Sequence, residues 1–341
     1  MAVTQTYTGD MGQREDLSDL IYNISPTATP LMSAVGVTDA SATLHEWLED
    51  VLTAPAVDNA VQEGADAPAA SASNTPTRLN NNTQISQKTY GVSGTLEVVS
   101  KAGRDSDIAY RASKAARELK TDVEATILKG NQVKTVAASG TAPLSASLNC
   151  WLDNAAFATG GTPAGANPTA VAGANRPTYD GTGAAFTQAK LDDVIQQCWS
   201  EGGQPSLIII GPNQKEVLSS MDGIGNTSSG NITRSDRASR TIIATADVYV
   251  SNFGSLSVVP SRMNRQGVQG VAAGGASASV DGERDSEVYV IDPEYLKLAY
   301  LRPWQEYELS KVGDSISRQM LVEWTLEVCN RNAHGIIRDL T

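Results

Sequence analysis

The segment from Thr53 to Thr83 constrains the fold more than any other part of the chain. It is dominated by Ala, Asn, Ser, Thr and Pro, with almost no large apolar side chain. Such a stretch cannot bury enough surface to offset the entropy of ordering a core of its own. Strand-like runs flank it, Leu44 to Leu52 on one side and Gln84 to Val99 on the other. Two extended arms enclosing a polar tip describe a long β-hairpin projecting from a body. About ten residues per arm, at about 3.3 Å each, would reach roughly 35 Å. A two-stranded ribbon alone is marginal in water, so the hairpin is expected to lie on a partner's surface.

A long helix is expected next. Ile108, Ala112, Ala115, Leu119, Val123 and Ile127 recur at spacings of four and three, and no Gly or Pro interrupts them. Asp105 or Ser106 serves as N-cap, Asp107 suits the positive end of the helix dipole, and Gly130 supplies a stop. About 23 residues at a rise of about 1.5 Å make a rod of roughly 35 Å with one apolar seam. Lys120 and Glu124 fall one turn apart on its expected outer face.

Before the hairpin, the stretch to about Gly12 is polar and patternless. Leu17, Leu20 and Ile21 then mark a short amphipathic helix, stopped by Ser25-Pro26 and Thr29-Pro30. After the long helix, Gln132 to Ala185 is poor in charge and crowded with Ala, Gly, Thr and Pro, which reads as a surface insertion. Its expected anchor is the island Asn149-Cys150-Trp151-Leu152-Asp153-Asn154. Leu191, Val194, Ile195, Cys198 and Trp199 form a helical stripe ended by Gly202-Gly203. An apolar strand, Ser206 to Gly211, precedes a helix with Val217, Leu218 and Met221. Further strands are expected at Val248–Val250, Leu256–Val259 and Val288–Ile291, separated by Gly/Ser-rich loops at Asp222–Asn231 and Gly267–Gly282. Near the C-terminus, Met320, Val322, Trp324, Leu326 and Val328 alternate with mostly polar residues, giving a strand with one buried face. The final Gly335–Leu340 is apolar enough to be tied down. The fold class is α+β.

Chemistry is scarce. Lys and Arg number 26 against 38 Asp and Glu, a net charge of −12, whereas gripping nucleic-acid phosphates demands basic surface. Three scattered cysteines, Cys150, Cys198 and Cys329, form no disulfide framework, and the two histidines, His45 and His334, lie far apart. The start carries no secretory signal and no apolar run is long enough for a membrane helix, so a soluble protein made inside the cell is expected. Gly91-Val92-Ser93-Gly94 lacks a spacer of the nucleophile elbow. Cys198 reads as core. No catalytic, cofactor or metal residues are expected.

The order of elements is informative where single motifs are not. The stretches that carry it are Arg14–Tyr22 with Ser25-Pro26-Thr27-Ala28-Thr29-Pro30, Glu46–Asp50, Glu63–Ala67, Asn82–Ile85 and Val92–Thr95. Later come Asp292-Pro293-Glu294-Tyr295-Leu296, Gly313-Asp314-Ser315 and Glu323-Trp324-Thr325-Leu326-Glu327. In this order the chain resembles the major capsid protein of tailed bacteriophages, whose fold is shared with encapsulin shells and the herpesvirus capsid floor. The resemblance implies an N-terminal arm over 1–43, an extended hairpin loop over 44–99 and the spine helix of a peripheral domain over 100–131. A low-complexity insertion follows over 132–186, then an axial domain over 187–300 and C-terminal strands returning to the peripheral domain over 301–341.

It further implies a non-catalytic subunit that self-assembles into hexamers and pentamers of an icosahedral head. That head would enclose double-stranded DNA without sequence-specific binding. Scaffolding, portal and decoration proteins are the further partners, and the virion, assembled in the host bacterial cytoplasm, is the location. Some members weld subunits through a lysine on the extended loop. Here the first lysine is Lys88, so no such crosslink is expected. Arg78 is the one Lys or Arg between Arg14 and Lys88, and it is expected to meet a neighbouring subunit's carboxylate. The rival readings are an encapsulin-like compartment, favoured by a cargo-docking peptide, and a β-rich hydrolase or carbohydrate-binding module, which would need a convergent polar constellation or an aromatic platform.

Overall fold

A computed structural model describes residues 28–53, 55–64, 66, 75–99, 105–129, 132–152, 185–221, 247–264, 287–338 and 340. The amphipathic helix expected near Leu17, the stop at Gly130 and both Gly/Ser-rich loops lie outside them.

In chain order the described elements begin with α1 (Pro30–Ala34), β1 (Gly36–Asp39), β2 (Leu44–Glu49), β3 (Thr77–Asn82), β4 (Gln84–Ser93) and α2 (Gly94–Val98). The long helix α3 (Asp107–Lys129) and a single turn α4 (Leu148–Trp151) follow, then α5 (Gln188–Ser200), β5 (Leu207–Ile210) and α6 (Pro212–Ser220). The rest is β6 (Val248–Ser251), β7 (Gly254–Pro260), β8 (Val288–Ile291), β9 (Leu296–Glu308), β10 (Ser315–Val328) and β11 (Gly335–Ile337). They make a four-stranded sheet in the order β1-β9-β10-β4, a five-stranded sheet in the order β11-β8-β5-β7-β6, and the separate ribbon β2-β3.

The helix α3 forms where the sequence places it. Ser106 Oγ accepts the Ala109 N–H at 3.3 Å, and Glu97 of α2 accepts the Asp107 N–H at 3.0 Å, so two donors of the first turn are satisfied. Ala115, Leu119, Val123 and Ile127 are buried along one seam, joined by Leu128. The expected outer-face pair does not hold: Lys120 is exposed, whereas Glu124 is fully buried. Ser93 caps α2 by accepting the Leu96 N–H.

Three further readings are corrected. The second arm of the ribbon is Thr77–Asn82, within the polar segment, because β2 pairs with β3 in a register that sets Trp47 opposite Leu79. Gln84–Ser93 instead joins the main sheet, antiparallel to β10, and Gly94–Val98 is helical. The surface insertion starts later than Gln132, since Ser145 to Leu152 is buried throughout. Finally, β10 has two buried faces, not one: every residue from Leu321 to Val328 is buried. Its polar side chains are paired with β9, the end of the ribbon and the 132–152 segment. Glu323 meets Arg302 at 2.7 Å and Thr83 at 2.9 Å, and Thr325 lies 3.3 Å from Ser145.

The five-stranded sheet is apolar at its centre, with every residue of β5 and β8 buried. Helix α5 packs on β11 so closely that a Cβ on Gly335 would fall 2.2 Å from Val194 Cγ1. The C-terminal stretch is thus tied into this second sheet through β11, while β10 belongs to the first.

Candidate functional site

The ribbon β2-β3 is two-faced. Along β2, His45, Trp47 and Glu49 are half-buried, and Leu44, Glu46 and Leu48 are exposed. Each inward side chain finds a fixed partner on the body. His45 Nε2 lies 2.9 Å from Glu327 Oε2, Trp47 Nε1 donates to the Val328 carbonyl at 2.9 Å, and Arg331 donates to Glu49 Oε2 at 2.9 Å. On β3, Leu79 is fully buried. Asn81 donates to the Leu326 carbonyl at 2.8 Å and accepts the Ala146 N–H at 2.9 Å. Trp47 also stacks on Trp151 with centroids 5.4 Å apart. The root of the ribbon is therefore clamped.

This clamp brings together a His, a carboxylate and a thiol. The bond from His45, then that from Cys329, hold the Glu327 carboxyl below its usual range against the effect of burial. Burial, reinforced by the bond to Glu327, pushes the Cys329 thiol up to about 11. The thiol donates to Glu327 at 3.2 Å, so the group that would act as nucleophile is held protonated. Cys198 is likewise pushed up to about 12 by burial. His334 is buried, accepts the Asp292 N–H on Nδ1 and is driven down to about 4, a structural histidine. Among the described residues no group of three or more His, Cys, Asp or Glu could hold a metal, and no helix is long and apolar enough to cross a membrane.

The outward side of the ribbon carries the opposite character. Leu44 and Leu48 are exposed, and beyond them Val51, Leu52, Val57 and Val61 stand in solvent, Leu52 at 93% and Val57 at 102% of full accessibility. Acidic residues are interspersed: Glu46, Asp50, Asp58, Glu63 and Asp66. Arg78 sits opposite Leu48 and reaches Glu46 of its own chain at 3.6 Å, with about two thirds of its side chain open (69%). Lys88 is away from this surface, bound to Asp122 of α3 at 2.8 Å.

A second exposed apolar patch lies at the edge of the five-stranded sheet. Val248 and Val250 of β6 are exposed, and Trp199 stacks on Phe253 at 5.3 Å. The helical stripe of α5 does not include Trp199: Leu191, Val194, Ile195 and Cys198 fill the core, and Trp199 is 52% exposed. The stripe already spans the buried face without it, which is the signal that places Trp199 outside. Apolar side chains also stand free where β9 and β10 connect, at Leu309 and Val312. An open cavity of about 420 Å³ between α3 and the main sheet is lined by Ala116, Lys120, Trp304, Gln305, Glu306 and Met320.

A clamped ribbon with an apolar outer face and a second apolar edge present surfaces suited to contact with another protein. The family model described as SU10 major capsid protein matches residues 3–341. The curated major capsid protein of Escherichia phage Phieco32 is 27% identical, over 62% of this chain and 67% of its own length. A solved cyanophage A-1(L) capsid asymmetric unit has a TM-score of 0.66 at 13% identity, covering 99% of this chain and 100% of that one. A native GTA particle capsid has a TM-score of 0.59 at 14% identity, covering 98% and 97%. At such identities the structures establish a shared fold, the phage capsid fold, and the family match extends across nearly the whole sequence. The chain belongs to the SU10 major capsid protein family.

Proposed function

We propose that this major capsid protein self-assembles into hexamers and pentamers of an icosahedral head. The head encloses packaged double-stranded DNA without sequence-specific binding, and the β2-β3 ribbon is the arm by which one subunit lies over the next. The observation that supports this most directly is the ribbon's asymmetry. Its inner face is fixed by three polar anchors, while Leu44 and Leu48 on its outer face, and Leu52 and Val57 beyond it, are left exposed. Apolar surface of this kind on a rigid support marks a protein contact. On this reading the 187–300 region contributes the contacts around capsomer centres, and the Trp199–Phe253 edge belongs to them. Portal, scaffolding and decoration proteins are further partners of such a shell. It is assembled in the bacterial cytoplasm and delivered as part of the virion.

The test is to express the full chain and examine it by sedimentation and negative-stain microscopy, beside a Leu48→Asp, Leu52→Asp variant. Closed shells or hexamer and pentamer rings from the parent, lost in the variant with its thermal unfolding unchanged, are the expected result. A parent that stays monomeric at high concentration would overturn the proposal.

A further inference from the structure

Helix α3 buries two carboxylates that neither the ribbon nor its clamp uses: Asp107, bound by Arg111 at 2.9 Å, and Glu124. Glu124 is fully buried, and its two oxygens accept the backbone N–H groups of Leu31 at 3.2 Å and Met32 at 3.0 Å. Both donors belong to α1, so a single side chain fastens that turn to the middle of the long helix. Among the described residues no cation accompanies it. Lys120, one turn earlier, lies over the Trp304 ring 6.0 Å from its centroid. α1 carries no titratable side chain.

The titratable groups on the elements packed against α3 are engaged elsewhere. On β4, Lys88 binds Asp122 and Tyr90 binds Glu306. On β10, Arg318 binds Glu306, Glu323 binds Arg302 and Glu327 binds His45. On α2, Glu97 holds Ser106 and the Asp107 N–H. Cys150 of α4 is buried near Tyr289, whose hydroxyl lies 2.6 Å from the Leu128 carbonyl and 2.7 Å from Glu287. Burial is accordingly the dominant influence on Glu124 and lifts it from 4.5 to about 7, with the two N–H bonds opposing it.

We propose that Glu124 is a proton-controlled latch that attaches the Pro30–Ala34 turn to the long helix. In the protonated form the buried charge is gone and one oxygen still accepts an N–H at full strength. In the ionised form both N–H bonds are available, but the charge stays buried with no counter-ion among the described residues, at a cost that release of the turn would relieve. The sign follows from linkage. The attached state holds the proton to about pH 7, whereas a hydrated carboxyl in the detached state loses it near 4.5. Attachment is therefore strongest in acid and weakens as pH rises through this window. The ratio of detached to attached turns rises on the order of a hundredfold between about pH 5 and pH 8. Proton concentration thereby sets how firmly the Pro30–Ala34 turn is held to the long helix.

The experiment is hydrogen exchange on the full chain at the Leu31 and Met32 amides. Rates are corrected for intrinsic exchange, with the Ile208–Ile210 amides of β5 as internal reference. Protection at Leu31 and Met32 is expected to fall tens-fold or more from about pH 5.5 to 8.5 relative to β5. In Glu124→Gln, which cannot ionise, the profile is expected to be flat. A flat profile in the parent chain overturns the latch, and so does an unchanged slope in Glu124→Gln. Where the variant does not fold, the parent profile alone decides, because no other group on α1 titrates.

Discussion

At the scale of single residues, the molecule depends on buried polar side chains whose partners lie far away in sequence. Asn81 is fully buried and meets the Leu326 carbonyl, Ser145 Oγ and the N–H groups of Asn82 and Ala146. Replacing it by Leu keeps the approximate volume but removes the partner of two N–H groups and a carbonyl, at about 1–3 kcal/mol for each left unpaired. Asn81→Leu is expected to lose about 3 kcal/mol or more in urea unfolding, with the ribbon loosened first. His334 carries a pH signature of its own. Burial depresses it from 6.5 to about 4, so below 6.5 the unfolded chain binds a proton that the fold refuses. Stability on its account is full above pH 6.5 and is lost as pH falls towards 4, by about 3 kcal/mol in all. Urea unfolding across that range is expected to show this acid limb, and His334→Asn to flatten it. Neither role can be read from the sequence, where Asn81 sits in a polar run and His334 near an irregular terminus. Distant backbone groups make them structural.

At the scale of elements, regular periodicity is legible and pairing is not. The seam of α3 and the apolar runs of β5 and β8 declare themselves because each packs one repetitive face or is buried outright. The strand Thr77–Asn82 carries Leu79 as its only large apolar residue, and its pairing with β2 is held by Asn81 and the Trp47–Leu79 register. No period of two advertises such a strand. In β10 the polar half of the alternation looks like a solvent face, but Glu323, Thr325 and Glu327 are the contacts that dock the ribbon and the 132–152 segment. Arg78 is the useful probe of the ribbon's outer face. Within the chain its pair with Glu46 is long and exposed, a geometry worth about 0–1 kcal/mol. Arg78→Glu is expected to leave the unfolding of the isolated chain within about 0.5 kcal/mol of the parent. We propose that Arg78 meets a neighbour's carboxylate, in which case the same change lowers the yield of shells in sedimentation. Unchanged assembly by Arg78→Glu would remove that contact from the assembly scheme.

At the scale of the whole molecule, the order of elements makes the resemblance to phage capsid proteins legible, while the surfaces that serve it emerge only in three dimensions. The net charge of −12 belongs to this scale too. On the proposed function an acidic wall would surround DNA without gripping it, but each added subunit would also bring like charge towards its neighbours. Two opposing salt effects result. Screening weakens attraction at Arg78, and it also weakens repulsion among Glu46, Asp50, Asp58, Glu63 and Asp66 on and beyond the same ribbon. With five carboxylates against one guanidinium, repulsion outweighs attraction between charges, and the exposed Leu48, Leu52 and Val57 contribute attraction that does not depend on screening. The Debye length shrinks from about 30 Å at 0.01 M salt to about 10 Å at 0.1 M, shorter than a subunit. Assembly followed by light scattering is therefore expected to be weak at the lower ionic strength and to rise with added salt. Equal assembly at both would mean that the acidic residues of the ribbon point away from the subunit contacts, leaving its apolar residues to make them alone.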